Sequence, residues 1–109
     1  MAPYLELGLD NFGDVTAEAD GTPVSFAQVL RNLVAQGVLA DRVGIDYFGV
    51  GEHHRVDFAV SAPEVVLAAI AAQTGRIHVG TAVTVLSSDD PIRIFQRLAT
   101  LDGISNGRA

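Results

Sequence analysis

Glycine punctuates this chain at a regular interval: Gly44, Gly75 and Gly107 lie 31 and 32 residues apart, and each closes the same pattern. A short apolar segment leads into a polar loop, then a stretch of helical periodicity, then the glycine. Parallel strands need a long, usually helical, crossover, so strand–loop–helix units repeating at this period imply a parallel sheet. A (β/α)8 barrel of about 250 residues divides into units of about 31. A doubly wound sheet has units of similar size, so the spacing leaves both folds open.

The units are read from their ends. Strands are expected at about 4–9, 45–51 and 77–86, and helices at about 26–43, 62–74 and 91–105. "SFAQ", Ser25 to Gln28, has the form of a capping box, with Val24 and Val29 placed as a hydrophobic staple. Leu30, Leu33, Val34 and Gly37 then line one helical stripe. "SAPE", Ser61 to Glu64, reads as a second capping box with Pro63 inside the first turn. Asp90-Pro91 is an N-cap and first-position pair, and Asn106-Gly107 a terminator. Three units do not close a barrel and leave parallel edges unpaired, so residues 1–109 are expected to be one segment of a larger protein.

Composition removes several chemistries. There is no cysteine, hence no disulfide framework and no thiolate metal site, and no lysine for a Schiff base. The net charge of -6 and seven scattered arginines argue against nucleic acid as a partner. "MAPYLELGLDNFGD" lacks the basic and apolar regions of a signal peptide. The longest uncharged stretch, Val65 to Gly75, is too short for a bilayer. A cytoplasmic protein without a membrane anchor is expected.

In parallel α/β folds the working surface lies at the carboxyl ends of the strands. "GVGEHHR", Gly49 to Arg55, falls at that edge, and Asp10-Asn11-Phe12 and Val83 to Ser88 flank it. Glu52, His53 and His54 are good metal ligands by type, but adjacent residues on extended backbone point apart, so no metal site is assigned. Two readings remain. One histidine packs in the mouth while the other is solvated, or a half-buried imidazole moves protons with Glu52 orienting it. His78, at the amino end of its strand, is read as structural. Gly49-Val50-Gly51 is no dinucleotide fingerprint, since a carboxylate follows and no helix opens there.

The stretch "YFGVGEHHRVDFAVSAPEVVLAAIAAQTGRIHVGTAVTVLSSDDPIRIFQRLATLDGISNGR" resembles the luciferase-like flavin-dependent monooxygenase family (the bacterial luciferase superfamily). The carriers are EHH after the second strand, RIxxGTAVxVLxxxxPxR through the third, and LDxxSxGR at the end. The similarity covers Ile45 to Arg108 well and Leu5 to Gly44 more loosely. It implies an α/β fold, the N-terminal three βα units of a (β/α)8 TIM barrel left incomplete in this chain. It further implies reduced FMN from a partner flavin reductase, molecular oxygen and a small organic substrate. His53 would be the catalytic acid/base, with Glu52 and His54 lining or orienting the same site. Gly80, Thr81, Ala82 and Val83 would bear the flavin ring, on a segment where members carry a non-prolyl cis peptide. Arg108 matches a family "GR" pair and is expected to be structural.

The helix at about 62–74 is apolar on every side, which calls for cover on two faces and agrees with a homodimer formed through it. Two alternatives stay beside the monooxygenase. One is a deazaflavin-dependent hydride-transfer enzyme of the same superfamily; the other is a flavin-binding or structural homologue without turnover.

Overall fold

The computed structural model describes residues 3–109. Three strands, β1 (Gly8–Asn11), β2 (Tyr47–Val50) and β3 (His78–Thr81), form one parallel sheet in the order β1-β2-β3. Helices α1 (Phe26–Val43), α2 (Pro63–Ala71) and α3 (Pro91–Ser105) follow them in turn. The register is continuous, with Asp10 beside Gly49 and Gly49 beside Gly80.

Alternation along the strands divides the sheet into two unlike faces. Phe48, Val50 and Val79 turn to one side and are buried with Leu33 and Ala40 of α1, Leu67 and Ile70 of α2, and Leu101 of α3. All three helices therefore share one core on one face. A doubly wound sheet would distribute its helices over both faces. Gly8, Tyr47 and His78, then Asp10, Gly49 and Gly80, occupy the opposite face. Three of those six are glycine, and the Tyr47 ring fills the space: its hydroxyl lies 2.6 Å from where a Gly80 Cβ would stand. Burial, with the Asp10 carboxylate adding to it, raises the Tyr47 phenol above its ordinary pKa.

Helix ends follow local chemistry, with three departures from the sequence reading. At α1 the Ser25 hydroxyl accepts from the Gln28 amide at 3.2 Å, but Gln28 does not reach back; its side chain engages Arg31 and Asn32. At α2 the expected box does not form. Pro63 opens the helix, so Ala62 takes the cap and no side chain caps it, while Glu64 pairs with Arg97 of α3 at 2.6 Å. Helix α2 also stops at Ala71 rather than about 74, and Gly75 is not among the residues of positive φ. Its final carbonyls are shared between the amides of Ala72 and Gln73 and side chains: Gln73 donates to Ala69 O, Thr74 to Ile70 O, and Arg108 to Ala71 O. Gly44, at φ 92°, does close α1, and Asn106 at φ 59° with Gly107 at φ 81° closes α3.

Two strand boundaries also move. Residues 4–7 lie outside β1, with Tyr4 and Leu7 held by the Asp46 carboxylate at 2.8 and 2.9 Å. These bonds, the Leu7 amide first, lower the Asp46 carboxyl below its usual range. Strand β3 ends at Thr81 rather than 86. The chain leaves the sheet through a cis Ala82–Val83 peptide and a short 3₁₀ turn, Leu86–Ser88.

Candidate active site

The carboxyl ends of the three strands meet through backbone and side-chain contacts. Gly51 donates to Asn11 O at 3.0 Å and Ala82 to Val50 O at 2.8 Å, so each strand hands its outgoing segment to a neighbour. The loops after β1 and β2 are sewn together by Val15 donating to Asp57 O and Ala59 donating to Gly13 O. Gly51 must be glycine for this closeness, since a Cβ would fall 2.6 Å from the Phe12 ring and 3.3 Å from Ala82 O.

His53 lies in this convergence. Its amide donates to Val60 O at 2.9 Å, which pins the backbone. The imidazole stacks on Phe58 and meets Phe12 edge-on, with centroids 3.9 and 5.9 Å away. Its Nδ1 atom is buried with no hydrogen-bond partner among the described residues. Buried polar atoms are nearly always satisfied by protein or ordered water, so this nitrogen is free to bond a water or a bound molecule.

Glu52 and His54 form a second unit. His54 Nε2 lies 2.7 Å from Glu52 Oε1; the His54 side chain is 52% exposed and that of Glu52 only 7%. The other carboxylate oxygen, Oε2, accepts from the Val85 amide at 2.9 Å. The two histidines thus occupy different environments. Among the described residues no group of three ligand-type side chains is placed to hold a metal ion.

The segment 80–83 divides. Gly80 is covered by Tyr47, Thr81 and Ala82 are half-buried, and Val83 stands out with 70% of its surface exposed. The Thr81 hydroxyl is 2.8 Å from that of Thr84. Beyond it, Arg97 pairs with both Asp89 and Glu64, joining the end of this loop to α2 and α3. Its contact with Glu64 is an ion pair without hydrogen-bond alignment. Hydrogen bonding from Arg97, then from the Asp90 amide, lowers the Asp89 carboxyl below its ordinary pKa, and the same pair raises Arg97.

Sequence reading missed Phe58 and the Val85 amide. Phe58 carries no periodic signal because it sits in a loop, and a backbone donor has no sequence signature. Arg108 is structural, as expected. Its guanidinium donates to Ala71, Thr74, Ile77 and Ser105 carbonyls and to the Thr74 hydroxyl. His78 is exposed at the opposite end of the sheet. No helix among the described residues is long and apolar enough to cross a membrane.

Known proteins share this chain's fold and much of its sequence. The family described as luciferase-like monooxygenase matches residues 10–109. An alkanal monooxygenase alpha chain of the Kryptophanaron alfredi symbiont is 34% identical over 82 residues, 74% of this chain and 23% of its own. Limonene 1,2-monooxygenase of Rhodococcus erythropolis is 41% identical over 69 residues, 62% of this chain and 18% of its own. The oxygenating constituent of 3,6-diketocamphane monooxygenase from Pseudomonas putida, a type II Baeyer–Villiger monooxygenase solved with FMN, superposes with a TM-score of 0.83 at 27% identity. That match covers 96% of this chain and 28% of the solved one. The chain thus spans 18 to 28% of the length of these relatives. It belongs to the luciferase-like monooxygenase family.

Proposed function

We propose that this chain forms the first three βα units of a (β/α)8 barrel in a flavin-dependent monooxygenase that uses reduced FMN and molecular oxygen on a small organic substrate. The observation that carries the reading is the His53 imidazole, held between Phe12 and Phe58 with a buried, unpartnered Nδ1 at the mouth of the sheet.

The residues present fit a flavin. An unpartnered imidazole nitrogen calls for a polar group of a bound molecule, and exposed Val83 beside small Ala82 offers a ledge to a flat apolar ring. Thr81, Ala82 and Val83 would hold that ring, with Gly80 beneath them admitting Tyr47. Reduced FMN, when bound, supplies the electrons that activate oxygen.

This chain's own residues do the rest. His53 holds or donates a proton at its ring, its orientation fixed by the two phenyl rings and its backbone by Val60. Phe12 and Phe58 cover part of its surface, and a bound flavin would complete the exclusion of water, which strengthens any charge interaction there. Glu52 and His54 complete the site beside it. We further assign a cytoplasmic setting, a flavin reductase as donor of reduced FMN, and a homodimer through α2, whose Val65 remains 65% exposed.

The test uses the natural gene product that contains these 109 residues. Oxygenation of an organic substrate with reduced FMN is expected, above the spontaneous oxidation of the free reduced flavin, and His53→Ala should lower that turnover by about a hundredfold or more. Substrate oxygenation by neither the parent nor the variant, but substrate reduction by the parent with a reduced deazaflavin, would transfer the site to hydride chemistry. Undiminished turnover in His53→Ala would remove the acid/base role.

A further inference from the structure

We propose that Glu52 is a positioning residue: its carboxylate ties the segment after β2 to the segment after β3 and so fixes the Ala82–Val83 ledge relative to His53. The consequence for the flavin rests on the function proposed above; the tether itself does not.

Both carboxylate oxygens already have partners, His54 Nε2 on Oε1 and the Val85 amide on Oε2, and the side chain is almost fully buried. A group that takes or gives a proton to a bound molecule must present an atom to it, whereas this side chain shows only 7% of its surface and each oxygen already holds a partner. What it engages matters. Among the described residues, every other hydrogen bond made between Val83 and Ser88 stays within 81–89. The two local backbone bonds there, Ser88 to Val85 O and Asp89 to Leu86 O, are long at 3.4 Å. Burial holds the segment only at its centre: Thr84 and Val85 are half-buried, while Val83 and Leu86 are 70% and 68% exposed. The Glu52–Val85 bond is therefore the one hydrogen bond, among the described residues, from this stretch to another element. It joins a point two residues from Val83 to the residue before His53.

The test again uses the natural gene product, with two readouts. Amide hydrogen exchange in peptides covering 82–88 reads the tether, and fluorescence titration with FMN reads its consequence. Glu52→Gln keeps an acceptor for the Val85 amide. It should hold exchange and FMN affinity within about twofold of the parent, a rescue that a role resting on charge does not allow. Glu52→Ala removes the acceptor. Exchange in 82–88 should quicken, and FMN affinity fall, by about tenfold each, while peptides from α1 exchange as before.

Equal damage from Gln and Ala overturns the proposal, because charge rather than the bond would then matter. Unchanged exchange in Glu52→Ala overturns it as well, as does faster exchange without loss of FMN affinity. Should Glu52→Ala not fold, Val85→Pro takes its place. Val85 has φ -81°, which proline adopts, so that variant deletes the same N–H with the same expected outcomes. A parent protein that binds neither FMN nor, under anaerobic conditions, reduced FMN defeats the flavin reading, and the exchange comparison still decides the tether.

Discussion

His53 lies flat on Phe58, their planes 12° from parallel, while Phe12 stands edge-on to the same imidazole at 71°. A stacked ring and an edge-on ring together fix the plane of the imidazole. Backbone pinning by Val60 alone would not do this, because it leaves the side-chain torsions free. Phe58→Leu keeps the apolar volume and removes the flat support. Turnover should fall by about tenfold to a hundredfold, as small misplacements of a reacting group do. Steady-state kinetics of the natural gene product with reduced FMN check this; unchanged turnover means that the stacking has no part in placing His53.

Arg108 joins the ends of two helices to the start of β3. Its guanidinium reaches four carbonyls and one hydroxyl, on Ala71, Thr74, Ile77 and Ser105. A lysine ammonium carries its donors on one atom and cannot span these acceptors. Arg108→Lys should therefore cost about 2–3 kcal/mol, close to the loss from Arg108→Ala, since carbonyls bonded to a charged group are left bare. Urea unfolding midpoints of the two variants decide it. A lysine variant as stable as the parent would show that the planar fork is dispensable.

These two cases mark where sequence reading works and where it stops. Helix starts and stops written in adjacent residues were legible: Ser25 at α1, Asp90-Pro91 at α3, Gly44 and Asn106-Gly107 at the ends. Each is settled within one turn of chain. Gly75 looked like the same signal, but α2 ends through Gln73, Thr74 and a distant Arg108, a choice made across 37 residues. The likeness of the EHH segment brought His53 forward, and its place just after the second strand of a parallel repeat put it at the carboxyl edge of the sheet. Its aromatic sandwich was not legible, because Phe12 and Phe58 reach it from separate loops. The pairing of Glu64 with Arg97 was hidden in the same way, behind a local pattern that suggested a capping box.

Asp41 predicts how stability depends on acid. Burial works to raise its carboxyl, but the Ile77, Arg76 and Gly75 amides favour the anion and together bring it below the ordinary value. The bond to Ile77 is 2.7 Å, and Ile77 is fully buried. A folded-state value below the unfolded one of about 4 means that this contribution is complete above that pH. It is lost as pH falls through the folded value. The urea midpoint of the parent should thus drop between neutral pH and pH of about 3. Asp41→Ala should cost about 1–3 kcal/mol at neutral pH, for the unpaired Ile77 amide, and show a shallower acid slope. An equal slope in the two proteins would relocate the effect to other carboxylates, Asp46 and Asp89 among them.

Gly37 sets the distance between α1 and α2, and here two effects of known size oppose each other. Alanine is favoured over glycine inside a helix by about 1 kcal/mol, so propensity alone predicts that Gly37→Ala stabilises. Packing predicts the reverse. A Cβ at this position would stand 2.6, 2.8 and 2.9 Å from the Cδ1, Cγ1 and Cγ2 atoms of Ile70. Three atoms of one β-branched side chain are involved, so a single rotation of its tip does not relieve the contact. Ile70 is fully buried among Leu33, Leu67 and Ile77, which leaves it no free space to enter. Overpacking of this kind costs about 1–3 kcal/mol and should outweigh the helical gain. Net destabilisation of about 1–2 kcal/mol in urea unfolding is the expected result. Ile70→Val in the same background should recover part of it by removing the Cδ1 atom, and a Gly37→Ala protein more stable than its parent would show that the helices can move apart.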